Sequence, residues 1–195
     1  MKRCIVALAL LAALAAAPAA AAPQWKLDPP HCQVVFTVRH IFAPVSGRFR
    51  QFSGAVSFDP KDLAHSRAEL VIQTASIDTD VKARDEHLRS EEFFDVKRYP
   101  QMRFVSQRMV HKGGNQYAAI GTLTMRDVSR RVELPFTHLG TRVHPQDPKL
   151  LVAGFEANFT LDRLQYHVGN GRFFKSGMLD KDVRVSIHLE LLRPR

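Results

Sequence analysis

The sequence predicts an all-β domain of about eight antiparallel strands with one short helical segment. Apolar and polar residues alternate through most of the chain, as they do in strands that bury one face. Short turns join most of these runs, and only residues 80–88 show a helical pattern. Eight antiparallel strands can close into a barrel, which leaves no free edge, although a two-sheet sandwich fits the same pattern.

The first 22 residues have the three parts of a secretory signal peptide. Lys2 and Arg3 form a cationic start, residues 4–17 are apolar, and Pro18 leads into a run of alanines suited to cleavage. The apolar stretch is shorter than the roughly 20 residues that a membrane-spanning helix needs. We therefore expect an exported chain, located in a bacterial periplasm, with residues 23–195 as one mature domain.

Each strand is marked by apolar residues that lie two positions apart and therefore share a face. In chain order the marking residues are Val34, Phe36 and Val38; Phe52, Val56 and Phe58; Leu70 and Ile72; Met102 and Phe104; Leu123 and Met125; Val132, Leu134 and Phe136; Phe155, Ala157, Phe159 and Leu161; and Val183, Val185, Ile187, Leu189 and Leu191. Phe49 has the wrong parity for the second run, so a bend is predicted near Arg50 and Gln51.

The predicted helix is short and charged. Asp80 is a suitable N-cap residue. The residues that would share one helical face are Val81, Arg84, Asp85 and Leu88. Arg84 and Asp85 are neighbours that cannot pair directly, so each needs a partner elsewhere. The preferred interpretation is a polar latch that fixes the helix across one barrel end, with Phe93 and Phe94 inserted beneath it; the alternative is a solvated charged face.

The chain is basic, with 28 Lys and Arg against 19 Asp and Glu and a net charge of +9. Without Lys2 and Arg3 the mature chain keeps 26 basic residues and a net charge of +7. The basic residues are scattered rather than arranged in a stripe with aromatic residues, so no nucleic-acid partner is expected. Solubility explains the charge, and the alternative is weak, transient attraction to anionic lipid headgroups.

Cys32 is the one cysteine that remains after cleavage, so no intramolecular disulfide is expected. His31 precedes it, which raises the alternative of a nucleophile with a base. Adjacent strand residues point to opposite faces, however, and a small buried apolar cysteine is the favoured interpretation.

A series of motifs in fixed order resembles the YceI-like family. The motifs are His31-Cys32 before Phe36 and His40, Gly47-x-Phe49-x-x-Phe52-x-Gly54, Phe58-Asp59-Pro60, Ser76-Ile77-Asp78-Thr79, Arg84-Asp85-x-His87-Leu88, Phe93-Phe94-Asp95, Tyr99-Pro100, Phe104-x-Ser106, Gly121-x-Leu123-Thr124-Met125 and Arg163-x-x-Tyr166. The resemblance extends from about Trp25 to Leu192.

This resemblance implies an elongated, lipocalin-like eight-stranded antiparallel barrel in the periplasm. It implies a carrier or storage protein, not an enzyme, that binds a long-chain polyisoprenoid such as a quinone tail in an apolar tunnel and needs no other cofactor. Members of the family are often paired, so a homodimer stays open. Cys32 stands where the family often has Ser, which would change the tunnel wall or offer an oxidisable thiol. Asp127 stands where Gly is common, and Asp tolerates turn geometry.

Strand parity and the resemblance together predict the residues that line the tunnel. They are Phe36, Val38, Phe52, Val56, Phe58, Leu70, Ile72, Phe93, Phe94, Phe104, Leu123, Phe136, Phe155 and Phe159. The residues expected at the polar latch or tunnel mouth are His40, Arg84, Asp85 and His87. The first alternative is a hydrolase or metal-dependent enzyme that uses His31, His40 and His87 around the mouth. The second is a structural protein whose aromatic rings fill a solid core.

Overall fold

The computed structural model describes residues 22–195, which form eleven β-strands and two short α-helices. The strands are β1 (Gln24–Leu27), β2 (Gln33–His40), β3 (Ala43–Phe49), β4 (Phe52–Ser57), β5 (Arg67–Gln73), β6 (Ile77–Asp78), β7 (Gln101–Gly113), β8 (Gln116–Met125), β9 (Val128–Val143), β10 (Leu150–Asp162) and β11 (Leu179–Pro194). The helices are α1 (Lys82–Arg89) and α2 (Arg172–Lys175), and 3-10 turns lie at Pro29–His31, Thr74–Ser76 and Arg163–Tyr166. The predicted signal peptide, residues 1–22, lies outside the described residues except for Ala22.

The strands form one antiparallel sheet that closes on itself. Its order is β1-β4-β5-β7-β8-β9-β10-β11, and β1 pairs with β11 at Lys26 and Leu192 to complete the ring. Beyond β1, β2 takes its place beside β11, β3 pairs with β2, and β6 pairs with β3. The barrel therefore has eight strand positions. In three of them two short strands follow one another: β1 and β2, β4 and β3, and β5 and β6. This confirms the predicted eight-stranded barrel and excludes the sandwich.

The three interrupted positions are neighbours, and their interruptions form a bend in the wall. The 3-10 turn at Pro29–His31 separates β1 from β2, and the one at Thr74–Ser76 separates β5 from β6. Arg50 N donates to Ser76 O at 3.1 Å, and Gln73 N donates to Gln51 O at 2.9 Å. The bend predicted at Arg50 and Gln51 is confirmed. It corrects the parity of the chain, so the side chain of Phe49 is buried.

Helix α1 occupies the segment in which the sequence predicts a helix, but the predicted N-cap is wrong. The cap position is Val81, which has no side-chain hydrogen bond. Asp80 has a left-handed φ of 61°, and its backbone N–H donates to the Asp78 carboxylate at 2.9 Å. The helix therefore begins after this local turn rather than at Asp80. The one-turn helix α2, between Gly171 and Gly177, was not predicted.

Strands β9 and β10 pair along only half of their length. Their ladder runs from Val143 opposite Leu151 to Thr137 opposite Glu156. Within residues 22–195, no pairing joins the earlier part of β9, residues 128–136, to β10. Pro135 lies in this part and has no N–H to donate, which is typical of a strand edge. The sheet's backbone hydrogen bonds therefore do not join this part of β9 to β10.

The buried side chains form two clusters, one in each half of the barrel. The first cluster includes Trp25, Phe58 and Phe155, and the second includes Phe49, Ile77 and Phe93 near α1. No helix in residues 22–195 has the length and apolar character required to cross a membrane.

Candidate functional site

An apolar cavity lies along the barrel interior and reaches both clusters. Its volume is about 240 Å³, and the surface that faces it is apolar. Phe58 and Phe155 line the part in the first cluster, whereas Leu88, Phe93 and Phe94 line the part below α1. The barrel interior is therefore not packed solid, because well-packed interiors leave few voids larger than a water molecule.

Most of the residues predicted to line a tunnel do line this cavity. They are Phe36, Val38, Val56, Phe58, Leu70, Ile72, Phe93, Phe94, Phe104, Leu123, Phe136, Phe155 and Phe159. Phe52 packs against the second cluster but is not part of this lining; together with Gln51 and Cys32 it borders a separate depression on the wall. Whether any of these side chains contacts a ligand remains a prediction.

The predicted lining omitted one complete wall. The inward face of β11 contributes Val183, Val185, Ile187, Leu189 and Leu191. Their strict alternation in the sequence was sufficient to place them on one face, so the signal was present. Met102, Met109 and Met125 also line the cavity. Methionine has an unbranched, flexible side chain, so these three positions can adapt to the shape of a ligand.

Aromatic rings close the end of the cavity that lies in the first cluster. The Phe58 ring is 5.3 Å from the ring of Tyr117, 5.2 Å from that of Phe155 and 5.2 Å from that of His138, each in an edge-to-face arrangement. Such pairs stabilise beyond the area that they bury. Burial lowers the pKa of His138, which favours its neutral form in this apolar setting.

At the other end, Arg84 and Asp85 share one partner, Thr79. The Asp85 carboxylate is buried and accepts hydrogen bonds from Thr79 N at 2.8 Å and from Thr79 Oγ1 at 2.6 Å. Arg84 Nε donates to Thr79 Oγ1 at 2.8 Å, and Arg84 Nη2 donates to Thr79 O at 2.9 Å. These bonds hold α1 against the segment that precedes it, not against a distant part of the wall.

Arg89, which the sequence did not single out, ties α1 to the barrel. Its Nε donates to Ala75 O at 2.8 Å, and its Nη2 donates to Ile77 O at 2.6 Å. Both acceptors belong to the interrupted position formed by β5 and β6. Arg89 was not predicted because its acceptors are backbone carbonyls, which leave no side-chain pattern in the sequence.

A charged cluster around Glu92 links α1 to α2. Glu92 accepts from His87 Nε2 at 2.7 Å and pairs with Arg172 Nη2 at 2.6 Å. Beneath this cluster the rings of Phe93 and Phe173 stack at 6.0 Å, and the His87 ring meets Phe93 edge-on at 4.9 Å. Stacked rings under a charged surface layer therefore cover this end of the cavity.

Arg163 is a further residue at this end whose role the sequence did not predict. Its side chain is buried and lines the cavity. It donates to Val168 O at 2.7 Å, to Asp180 O at 2.9 Å and to Leu179 O at 3.4 Å. Burial lowers the pKa of Arg163 from its usual value, although a guanidinium stays charged in proteins. Arg163 thus joins the loop before α2 to the start of β11.

The histidines of the enzyme alternative do not come together. His31 ends the 3-10 turn before β2 and His40 ends β2, so the eight residues of β2, which span roughly 25 Å at the usual rise per residue, lie between them. His31 bonds to Asp28 at 2.7 Å, a contact that raises the pKa of His31. Among residues 22–195, the one group of three close potential metal ligands is Asp28, His31 and Glu190, which lies outside the cavity lining. The predicted arrangement of His31, His40 and His87 around one mouth is therefore wrong.

Cys32 is buried, and its thiol donates to Glu190 O at 3.3 Å. Burial raises the pKa of the Cys32 thiol, which disfavours the reactive thiolate. Cys32 does not line the main cavity, so the expected change in the tunnel wall is not present. In the turn between β8 and β9, Arg126 takes the left-handed φ of 53° and Asp127 does not. The family's glycine preference is thus not needed at Asp127.

Replacing Glu92 by Gln is expected to lower the melting temperature at neutral pH. The hydrogen bond from His87, and then the charge of Arg172, hold the pKa of Glu92 below its ordinary value. A carboxylate with a lowered folded-state pKa stabilises the protein above its unfolded pKa, and this stabilisation is lost as the pH falls through the folded pKa.

The melting temperatures of the wild type and E92Q should therefore converge on acidification. Glu86→Gln, at an exposed carboxylate of the neighbouring helix α1, is the control and should melt like the wild type at each pH. A difference between E92Q and the wild type that stays constant with pH would contradict the role of the Glu92 charge.

Comparison with known proteins gives one consistent result. The family model of the YceI-like domain matches residues 25–191. A UPF0312 protein of Serratia proteamaculans is 32% identical over 198 residues, which cover 100% of both chains. A UPF0312 protein of Photorhabdus laumondii is 33% identical over 161 residues, which cover 81% of this chain and 82% of that protein.

Solved structures share the fold. The Burkholderia cenocepacia protein BcnA superposes with a TM-score of 0.77 at 27% identity, covering 86% of this chain and 99% of BcnA. A polyisoprenoid binding domain from Saccharophagus degradans superposes with a TM-score of 0.63 at 14% identity, which is a likeness of fold, and covers 86% of this chain and 97% of that domain. The motifs, the closed barrel and these matches agree, and the chain belongs to the YceI-like family.

Proposed function

We propose that the protein binds a polyisoprenoid chain, such as a quinone tail, in the barrel cavity and acts as a periplasmic carrier or storage protein. The observation that carries this proposal is the continuous apolar cavity between the two core clusters. The surface that faces the cavity is apolar, and Arg163, which lines it, donates to backbone carbonyls, so the cavity suits a hydrocarbon better than a polar metabolite. The Saccharophagus degradans domain, described as polyisoprenoid binding, provides support from the same fold.

The cavity size limits how the chain is accommodated. A cavity of roughly 150 Å³ holds one benzene molecule, so about 240 Å³ holds a slim chain of about ten carbons. A longer prenyl chain requires lining side chains to move. Met102, Met109 and Met125 can change rotamer at low cost, and residues 128–136 of β9 lack sheet hydrogen bonds to β10 that would have to break for the wall to move there.

Binding must also be reversible. Each buried CH₂ group contributes about 0.8 kcal/mol relative to water, but a bilayer solvates the chain equally well. The transfer of lipid from the membrane to the protein is therefore nearly balanced in free energy, as a carrier requires. Transient contact with a membrane is part of this proposal, and the pairing of two copies stays a prediction.

The ends of the cavity suggest where a headgroup would lie. Arg84 and Asp85 are engaged with Thr79, so we assign them to the latch rather than to the ligand. His40 and His87 are exposed at the α1 and α2 end, and we propose them as headgroup contacts. The periplasmic location is supported by the signal-peptide pattern of residues 1–22 and by the family.

The purified mature protein is expected to carry a non-covalently bound prenyl lipid. Native mass spectrometry should show an adduct of isoprenoid mass, and organic extraction should release a lipid of the same mass. Elemental analysis of the same sample tests the metalloenzyme alternative. A protein that carries no lipid, and takes up none when incubated with a prenyl quinone in detergent, would overturn the proposal.

A further inference from the structure

We propose that the end of the barrel that carries α2 docks on an anionic lipid bilayer through four exposed apolar residues. These residues are Ile41, Phe42, Phe174 and Met178, and we call them the tip patch. The inference deepens the proposed function and rests on it in one respect, because a lipid carrier needs a place at which to exchange its lipid with a membrane.

The tip patch is continuous across two loops. Ile41 and Phe42 form the two-residue turn between β2 and β3, and Phe42 is 96% exposed. Phe174 in α2 and Met178 after it are also exposed. Ile41 N donates to Met178 O at 2.9 Å, so the two loops lie side by side. Apolar residues grouped on an exposed tip mark an interaction surface more often than scattered ones do.

The backbone conformation of the turn is unfavourable for the residue that occupies its first position. Ile41 has a left-handed φ of 53°, and Phe42 has no positive φ. Two-residue turns with a positive φ at the first position usually have glycine there. A β-branched residue in this conformation is a genuine outlier. The chain therefore tolerates strain at Ile41 in order to expose two large apolar side chains.

The tip patch adjoins the cavity. Leu179, which follows Met178 and pairs with His40, lines the cavity, as does Val38. Phe173, beside Phe174, stacks inward on Phe93. Docking through the tip patch would place this covered end of the cavity at the membrane surface.

Charge around the tip patch favours an anionic bilayer over a second copy of the chain. Arg39 pairs with Asp180 and Arg172 pairs with Glu92, but in each pair the arginine is outermost. The side-chain exposure is 67% for Arg39 and 64% for Arg172, against 21% for each carboxylate. Lys175 adds an exposed positive charge. Two copies would bring these cations together, whereas anionic headgroups attract them.

The test is co-sedimentation of the mature protein with phosphatidylcholine vesicles, with and without phosphatidylglycerol. The wild type should sediment with the anionic vesicles, and less so at high salt. Phe42→Ser and Ile41→Gly should each weaken binding by about tenfold or more, since each removes an apolar side chain that docking would bury in the bilayer. Ile41→Gly also relieves the strained φ, so a loss of binding would not reflect unfolding. Leu139→Ser, at an exposed leucine outside the tip patch, should bind like the wild type.

Each contrary outcome has a distinct meaning. The proposed docking surface is refuted if the wild type does not bind vesicles, or if F42S and I41G both bind them as well as the wild type does. Light scattering that shows a wild-type dimer and a monomeric F42S assigns the tip patch to a second copy and also overturns it. I41G should keep its prenyl adduct in native mass spectrometry. A wild type that sediments with vesicles but carries no lipid would refute the proposed cargo alone and leave the docking surface in place.

Discussion

Replacing Ala157 by Phe is expected to reduce bound lipid at least about tenfold while the barrel stays folded. Ala157 lines the cavity on β10, opposite Ile187 of β11, which also lines it. Since a cavity of roughly 150 Å³ holds one benzene ring, a new ring would fill more than half of the 240 Å³ present. The void accepts the added ring, so the usual overpacking cost of about 1–3 kcal/mol should be largely avoided.

The matched control is Thr160→Phe, because Thr160 is an exposed residue on the opposite face of the same strand. It adds the same ring outside the barrel and should leave the lipid adduct unchanged. The bound lipid is measured by native mass spectrometry, and folding is measured by circular dichroism and thermal melting. A folded A157F protein with a full complement of long prenyl lipid would show that the lipid lies elsewhere.

Replacing Arg163 by Met is expected to lower the free energy of unfolding by about 3 kcal/mol. The guanidinium donates to the carbonyls of Val168, Leu179 and Asp180, and Met would leave these partly buried acceptors without a donor. An unsatisfied buried polar group costs about 1–3 kcal/mol. Amide hydrogen exchange should increase most in residues 164–180, since Arg163 is what joins this loop to β11.

Urea denaturation measures the change in stability. Arg184→Met, at an exposed arginine of β11, should alter stability by less than about 0.5 kcal/mol. Arg163→Lys should fall between the two, because one ammonium cannot reach all three carbonyls in the guanidinium geometry. If R163M were as stable as R184M, the three hydrogen bonds would not stabilise this end of the barrel.

The residues that were predictable from the sequence are those governed by the period of two in strands. Phe36, Phe104 and Phe159 were assigned to the interior by parity alone, and each lines the cavity. The anomalous parity of Phe49 correctly indicated the bend at Arg50 and Gln51. Phe52 also follows the predicted parity, since it lies opposite Ile72 and packs against the second cluster, although it is not part of the cavity lining.

The polar contacts were much less predictable. Arg84 and Asp85 were recognised as needing partners, but Thr79 was not identified as the partner of both. Arg89 and Arg163 bond to backbone carbonyls, which every residue has, so no sequence pattern identifies the acceptors. The predicted convergence of His31, His40 and His87 was wrong because the whole of strand β2 lies between His31 and His40.

Alternating apolar residues were sufficient to predict about eight antiparallel strands with one face turned inward, because side chains in a strand repeat every two residues. The folded chain was needed to show that the inward rings leave a cavity open and how its ends are covered. It was also needed to show that the exposed residues Ile41, Phe42, Phe174 and Met178 lie on two adjacent loops. These features depend on distances between residues that are far apart in the chain. Such distances are set by barrel closure and the bend in its wall, not by any local pattern.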